Sequence, residues 1–201
     1  MELTLKQEFD SFSDTGFLHK ELEDIRGRKV SFDTLDTPFL HISMAITHFC
    51  PFCLMRFLEL NKQADKMHEQ GINTWLIFND TNSSLKEKFE FLNRKIEINK
   101  NLHIIGAYGP TLRNYFNFDK SYLGRLKGFK KINSISKIKT FLSLADINLI
   151  KALYDWHTPG DLVFTKEGEL IFSHQAKHAT DRIITFDIMN IIEDHKKIWH
   201  D

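Results

Sequence analysis

The sequence is poor in cysteine, proline and glycine and has no long apolar run. Its 201 residues include two cysteines, four prolines and nine glycines, which excludes a disulfide framework, a low-complexity chain and a collagen-like repeat. No apolar run reaches the roughly 18 residues that a membrane helix needs. The first ten residues, MELTLKQEFD, lack the basic and then apolar profile of a signal peptide. We therefore expect no membrane contact and a cytoplasmic location.

The charge balance gives no general argument for binding nucleic acid. The 27 acidic residues offset the 27 basic ones, so the formal net charge is zero. Residues 120–139 are locally basic, with seven Lys or Arg and no Asp or Glu, but their apolar side chains recur every third position. That spacing favours a helix that covers a sheet edge, and we expect no nucleic-acid partner.

Hydrophobic periodicity predicts an α/β fold. Residues 1–28 are predicted to form a helical extension, and residues 29–201 one domain with a basic helical insertion at 119–150. A strand, a helix and a second strand within about forty residues indicate a parallel βαβ unit, and a later hairpin adds antiparallel strands. The predicted strands are 29–32, 39–46, 72–78, 103–105, 161–165 and 169–174, and the predicted helices are 51–70, 82–93, 110–116 and 185–199.

The two cysteines form a C-x-x-C motif at the predicted start of a helix. Cys50 occupies the N-cap, where unpaired peptide N–H groups favour an anion, so we expect the pKa of its thiol to fall below the ordinary value of about 8.5. Cys53 begins an apolar face that continues at positions 57, 60, 64 and 67. We therefore expect an exposed, acidic Cys50 that attacks and a buried Cys53 that resolves the product.

Two other uses of the cysteine pair stay open. Both thiols could be buried simply as small apolar groups. His174 and His178 have the spacing of a zinc-binding pair, and His48 precedes the thiols closely, but nothing in the sequence brings the distant histidines to the cysteines. A redox pair is favoured, with no metal and no organic cofactor.

The order of several motifs resembles one branch of the thioredoxin-fold proteins. It is similar to the peroxiredoxin-like proteins of the alkyl hydroperoxide reductase / thiol-specific antioxidant superfamily, over about residues 29–192. The motifs that carry the resemblance are Cys50-Pro51-Phe52-Cys53 after a strand, Pro159-Gly160-Asp161-Leu162-Val163-Phe164, the turn at Gly168, and Ser173-His174 followed by Asp181.

The resemblance implies a site as well as a central mixed sheet flanked by helices. Cys50 would be the peroxidatic cysteine and Cys53 the resolving one, with the Thr47 hydroxyl near the thiolate and the peroxide. Pro159, often cis in this fold, would lie beside them and present the Thr158 backbone to a substrate. His48 and His157 are candidates for the same cleft.

Two departures from the family pattern concern peroxide reduction. Ser43 stands where the peroxiredoxin motif has a proline, and no arginine occurs between positions 126 and 181. Arg56, Arg113 and Arg182 are the candidates to replace the arginine that holds the thiolate in that family.

The sequence thus predicts a thiol-dependent oxidoreductase that acts on a peroxide or a disulfide and is reset by an external thiol reductant. A homodimer is possible. The alternatives are a DsbA- or glutaredoxin-like dithiol–disulfide exchanger and a non-catalytic scaffold with a thioredoxin fold.

Overall fold

The computed structural model describes residues 20–116, 118, 158–177, 181 and 183–200. The predicted insertion at 119–150 and most of the predicted N-terminal extension lie outside the described residues. So do His157, His178 and Arg182.

The described elements follow the predicted order closely. Among the described helices, none is long and apolar enough to cross a bilayer. The strands are β1 (Leu22–Glu23), β2 (Lys29–Val30), β3 (Phe39–Met44), β4 (Ile72–Ile77), β5 (Leu102–Ile105), β6 (Gly160–Thr165) and β7 (Leu170–Gln175). The helices are α1 (Pro51–Glu69), α2 (Asn82–Asn93), α3 (Gly109–Tyr115) and α4 (Thr185–His200), with a 3-10 turn at Phe32–Thr34.

Five strands form one mixed sheet in the order β5-β4-β3-β6-β7. Strand β3 lies at its centre, parallel to β4 and antiparallel to β6, so that Ser43 pairs with Leu76 on one side and with Asp161 on the other. The carboxyl ends of β3 and β4 therefore meet the amino end of β6 at one edge of the sheet. The predicted βαβ unit and the C-terminal hairpin are both confirmed.

Helix α1 packs its predicted apolar face against this sheet. Cys53, Phe57, Leu60, Ala64 and Met67 are each at most 4% exposed. The helix is followed by Gly71 at φ +81°, a left-handed conformation that glycine adopts without steric cost, as a helix C-terminus requires. Periodicity therefore predicted both the buried face and the end of the helix.

The N-terminal end differs from the prediction, because the described part of residues 1–28 forms a hairpin. Leu22–Glu23 pairs with Lys29–Val30, across a turn that contains Gly27 at φ +76°. The buried Asp24 carboxylate accepts hydrogen bonds from the backbone N–H groups of Arg26 and Arg28. Such local bonds compete with helix formation, which apolar spacing alone did not reveal.

Candidate active site

Three chain segments converge at the edge of the sheet where β3 and β4 end and β6 begins. Residues 45–50 link β3 to α1, Asn79 and Asp80 follow β4, and Thr158 and Pro159 precede β6. The first of these segments, Pro159 and the neighbouring ends of β3, α1 and β6 line a partly open cleft. Its polar lining is Ser43, Cys50, Cys53, Arg56 and Asp161, and its apolar lining is Met44, Ala45, Ile46, Phe52, Pro159 and Gly160.

Both cysteines are reduced and buried in this cleft. Cys50 is 6% exposed and Cys53 is 4% exposed, so the predicted contrast between an exposed and a buried thiol is wrong. Cys50 does occupy the N-cap of α1, as predicted. The Cys53 Sγ lies one turn further in and accepts a hydrogen bond from the backbone N–H of Ile46 at 3.2 Å.

When the pair loses its first proton, the negative charge resides mainly on Cys53. The predicted lowering of the Cys50 pKa is therefore wrong. Burial opposes the Cys53 thiolate, but hydrogen bonds from the Cys50 thiol and from the Ile46 and Thr47 amides, with the charge of Arg113, lower the pKa of Cys53 to about 7. The hydrogen bond to Cys53 and then burial raise the pKa of Cys50 well above its ordinary value. The N-terminal amides that the prediction invoked do favour a Cys50 anion, but the neighbouring Cys53 anion outweighs them.

Thr47 and His48 are held by Asp80, a residue that the sequence interpretation missed. The Thr47 hydroxyl donates to Asp80 Oδ1 at 3.0 Å, and the His48 backbone N–H donates to Asp80 Oδ2 at 2.8 Å. The His48 ring is 5% exposed, and its Nδ1 lies 3.2 Å from Asp80 Oδ1 without forming a hydrogen bond. The Thr47 hydroxyl, predicted to lie near the thiolate, is therefore bound to Asp80, and the Thr47 backbone N–H faces Cys53 instead.

A buried ionic network lies behind the thiols. The Arg56 guanidinium donates to Asp161 Oδ1 at 2.7 Å and to the Ser43 hydroxyl at 3.0 Å. His41 Nε2 lies 2.9 Å from the same Asp161 oxygen. Burial opposes the Asp161 carboxylate, but the charge of Arg56 and the contact with His41 hold its pKa well below the usual range. Ser43, which replaces the family's proline, thus serves as a partner of Arg56.

Arg113 joins two sides of the cleft from helix α3. Its guanidinium is fully buried and donates to the carbonyl of Ala45 at 2.6 Å, to the carbonyl of Thr158 at 3.0 Å, and to Asn79 Oδ1. The Thr158 hydroxyl also accepts a hydrogen bond from the Gln175 side chain at 3.1 Å. The Thr158 backbone was predicted to receive a substrate, and its carbonyl already accepts a hydrogen bond from within the protein.

Pro159 lines the cleft with both cysteines, as the resemblance implied. The peptide bond between Thr158 and Pro159 is trans, however, because the described residues contain no cis peptide. The Pro159 carbonyl accepts the Ala176 N–H at 3.0 Å, so the segment continues directly into the hairpin.

Sequence comparison gives no relatives for this chain: no family model and no curated protein matches it. Structural comparison does. Peroxiredoxin Q of Xanthomonas campestris matches with 12% identity and a TM-score of 0.57, over 90% of this chain and 94% of that one. Peroxiredoxin 6 of Arenicola marina matches with 13% identity and a TM-score of 0.61, over 90% and 71%.

The fold is that of the peroxiredoxins. A pneumococcal exposed lipoprotein thioredoxin from Streptococcus pneumoniae also matches, with 12% identity and a TM-score of 0.51, over 87% of this chain and 98% of that one. The predicted thioredoxin-like, peroxiredoxin-like fold is therefore confirmed, and identities this low establish the fold alone.

Within the peroxiredoxin fold, this chain brings two of its candidate arginines to the cysteines. Arg56 lines the cleft and Arg113 stabilises the Cys53 thiolate. Both come from helices, outside the stretch between positions 126 and 181 that holds no arginine. Among the described residues no group of three or more His, Cys, Asp or Glu has the arrangement of a metal site. His174 lies 3.9 Å from Asp181.

Two signals would have improved the sequence interpretation. Adjacent parallel strands end at the same sheet edge, so Asp80, just after β4, had to lie near Thr47, just after β3. An ionisable residue within an apolar strand, as Asp161 is, needs a buried partner. Nothing in the sequence named Arg56 as that partner.

Proposed function

We propose that this chain is a thiol-dependent peroxidase that uses Cys50 and Cys53. The observation that carries the proposal is the pair itself: two reduced thiols share one cleft, and one of them has a pKa of about 7. A large fraction of such a pair is anionic at neutral pH, and the thiolate is the nucleophile in thiol chemistry.

The proposed first step uses the hydrogen bond between the two sulfurs. Cys50 transfers its proton to the Cys53 thiolate and attacks the terminal oxygen of a hydroperoxide. The O–O bond breaks, Cys50 becomes a sulfenic acid, and the leaving alkoxide takes the proton back from Cys53 as an alcohol. Cys53 is then a thiolate again, one helical turn from the sulfenic acid.

The second step closes the disulfide and releases water. The Cys53 thiolate attacks the Cys50 sulfur, the S–O bond breaks, and the departing hydroxide takes a proton from solvent. An external dithiol then reduces the disulfide by thiol exchange, giving up two electrons and two protons to restore both thiols. We propose a peroxide as substrate and an external thiol as reductant in a reducing cytoplasm; a homodimer stays a prediction.

Burial favours a small substrate over a protein disulfide. Both thiols are at most 6% exposed. The Thr158 backbone, which would receive an extended peptide, already uses its carbonyl to accept a hydrogen bond from Arg113. A disulfide exchanger needs a sulfur that another protein can reach. The structure therefore supports the peroxidase more than the dithiol–disulfide exchanger.

The test is the intact mass of the reduced protein after brief exposure to one equivalent of hydrogen peroxide. We expect the wild type to lose two hydrogens, and Cys53→Ser to gain one oxygen on Cys50. Cys50→Ser is the matched variant: rapid oxygen addition to Cys53 there would reverse the proposed roles. No mass change in the wild type would contradict the proposed peroxidase activity. Turnover of a disulfide substrate would then favour the dithiol–disulfide exchanger.

A further inference from the structure

Asp80 accepts two hydrogen bonds from the loop whose peptide N–H groups face Cys53. Its two carboxylate oxygens engage consecutive residues, since Oδ1 accepts from the Thr47 hydroxyl and Oδ2 from the His48 amide. The side chain is 16% exposed, so these bonds are shielded from water on most sides. Two acceptors on one rigid group fix both the position and the orientation of the loop.

The backbone that carries Asp80 is itself held in place. The Asn79 N–H donates to the Ile46 carbonyl at 3.1 Å, and the Ala107 N–H donates to the Asp80 carbonyl at 2.7 Å. Ala107 has φ +70°, a conformation that residues other than glycine rarely adopt. Asp80 therefore gives the loop a fixed support at the end of β4.

The held loop points its amides at one sulfur. The Ile46 N–H lies 3.2 Å from Cys53 Sγ, and the Thr47 N–H also stabilises that thiolate. Thr47 is thus fixed on its side-chain end by Asp80 while its backbone faces Cys53. We propose that Asp80 is a positioning residue, which orients the Thr47–His48 backbone so that the Ile46 and Thr47 amides converge on the Cys53 sulfur.

The charge of Asp80 acts in the opposite direction to this positioning role. A carboxylate near a thiol disfavours the thiolate, so removal of the charge alone would lower the thiol pKa. Loss of the positioned amides would raise it. Among the described residues, the other ionisable groups near the pair and Asp80 are Arg113 from α3, Arg56 from α1, Asp161 from β6 and the His48 ring, which lies 3.2 Å from Asp80 Oδ1. Their identities stay unchanged when position 80 is substituted.

The charge of Asp80 and its positioning of the amides change the thiol pKa in opposite directions. One measurement therefore separates them: the pH dependence of iodoacetamide alkylation of the reduced protein. For Asp80→Ala we expect about fivefold slower alkylation at pH 7. This corresponds to a rise in the thiol pKa from about 7 to about 8. Asp80→Asn keeps the shape and the acceptor for the His48 amide, so we expect it to stay within about twofold of the wild type. Asp36→Ala, at an exposed carboxylate, is the control.

Faster alkylation of Asp80→Ala, or an unchanged rate, would overturn the proposal. If Asp80→Ala does not fold, Thr47→Val tests the same contact, because it removes the hydroxyl and keeps the amide; slower alkylation at pH 7 supports the proposal and an unchanged rate overturns it. The inference deepens the proposed peroxidase, but alkylation uses no peroxide. A chain that fails to reduce peroxide would still show the effect of Asp80.

Discussion

The Arg56 guanidinium lies 2.7 Å from Asp161 Oδ1, and this ion pair joins the helix that carries both cysteines to strand β6. Both side chains are at most 5% exposed. Arg56 also donates to Glu59 and to the Ile183 carbonyl, just before α4. One buried cation therefore connects the sheet, the dithiol helix and the C-terminal helix.

We expect loss of one partner of this pair to destabilise the fold strongly. Arg56→Met should lower the free energy of unfolding by about 3–5 kcal/mol, because it leaves the Asp161 charge buried without its guanidinium partner. The double variant with Asp161→Leu should lose less than the sum of the two single variants. Urea denaturation measures both. Arg94→Met, at an exposed arginine, should change stability by no more than about 0.5 kcal/mol, and additive losses would refute the pairing.

The two thiols should titrate far apart in the wild type and shift when either is removed. We expect one equivalent of alkylation with a midpoint near pH 7 and the second only at much higher pH. Cys53→Ser should lower the pKa of Cys50, because its neighbouring anion is gone. Cys50→Ala should raise the pKa of Cys53, because the thiol donor is gone. Mass spectrometry of alkylated peptides assigns each midpoint, and identical midpoints in all three proteins would contradict the shared charge.

Substitution of Arg113 should separate its charge from its geometry. Arg113→Met removes the positive charge, so the pKa of Cys53 should rise. Arg113→Lys keeps the charge but cannot reach three acceptors with a planar fork. We expect Arg113→Lys to leave the Cys53 pKa near that of the wild type and to cost about 1–3 kcal/mol of stability through unsatisfied carbonyls. Alkylation and urea denaturation measure the two effects, and equal Cys53 pKa values in both variants would contradict the electrostatic role.

Protonation of His41 should reduce stability below neutral pH. Burial lowers the pKa of His41, and the contact with Asp161 offsets this only in part. Unfolded histidine binds its proton near pH 6.5, so below that pH the unfolded state holds more protons and the free energy of unfolding falls as pH falls. We expect His41→Gln to show a smaller loss between pH 7.5 and pH 5.

Urea midpoints at the two pH values measure this loss. Burial also lowers the pKa of His103, so His103 accounts for part of the pH dependence of stability that His41→Gln retains. The lowered pKa of Asp161 affects stability only below this range, near pH 4. His68→Gln is the control for a substitution outside the network. Equal slopes in His41→Gln and the wild type would contradict the prediction.

Local sequence patterns predicted the elements that carry this site. They did not predict the contacts between residues that are distant in the chain. The apolar face of α1 placed Cys53 in the core, and the motif placed Cys50 at the N-cap. The pKa order of the thiols depends instead on the Ile46 and Thr47 amides and on Arg113, which lies sixty residues from Cys53 in the chain. Arg56 and Asp161 are 105 positions apart, and apolar spacing carries no information on such a pairing.

The central position of β3 has a consequence for how the chain is made. Its residue Ile42 pairs with Leu162 on β6, so the cysteine loop and Arg56 leave the ribosome long before their partners on β6 exist. Until then one edge of β3 lacks hydrogen-bond partners, and the Arg56 guanidinium lacks Asp161. We therefore expect the thiols to stay open to solvent oxidants until about the last fifth of the chain, which begins at β6, has emerged.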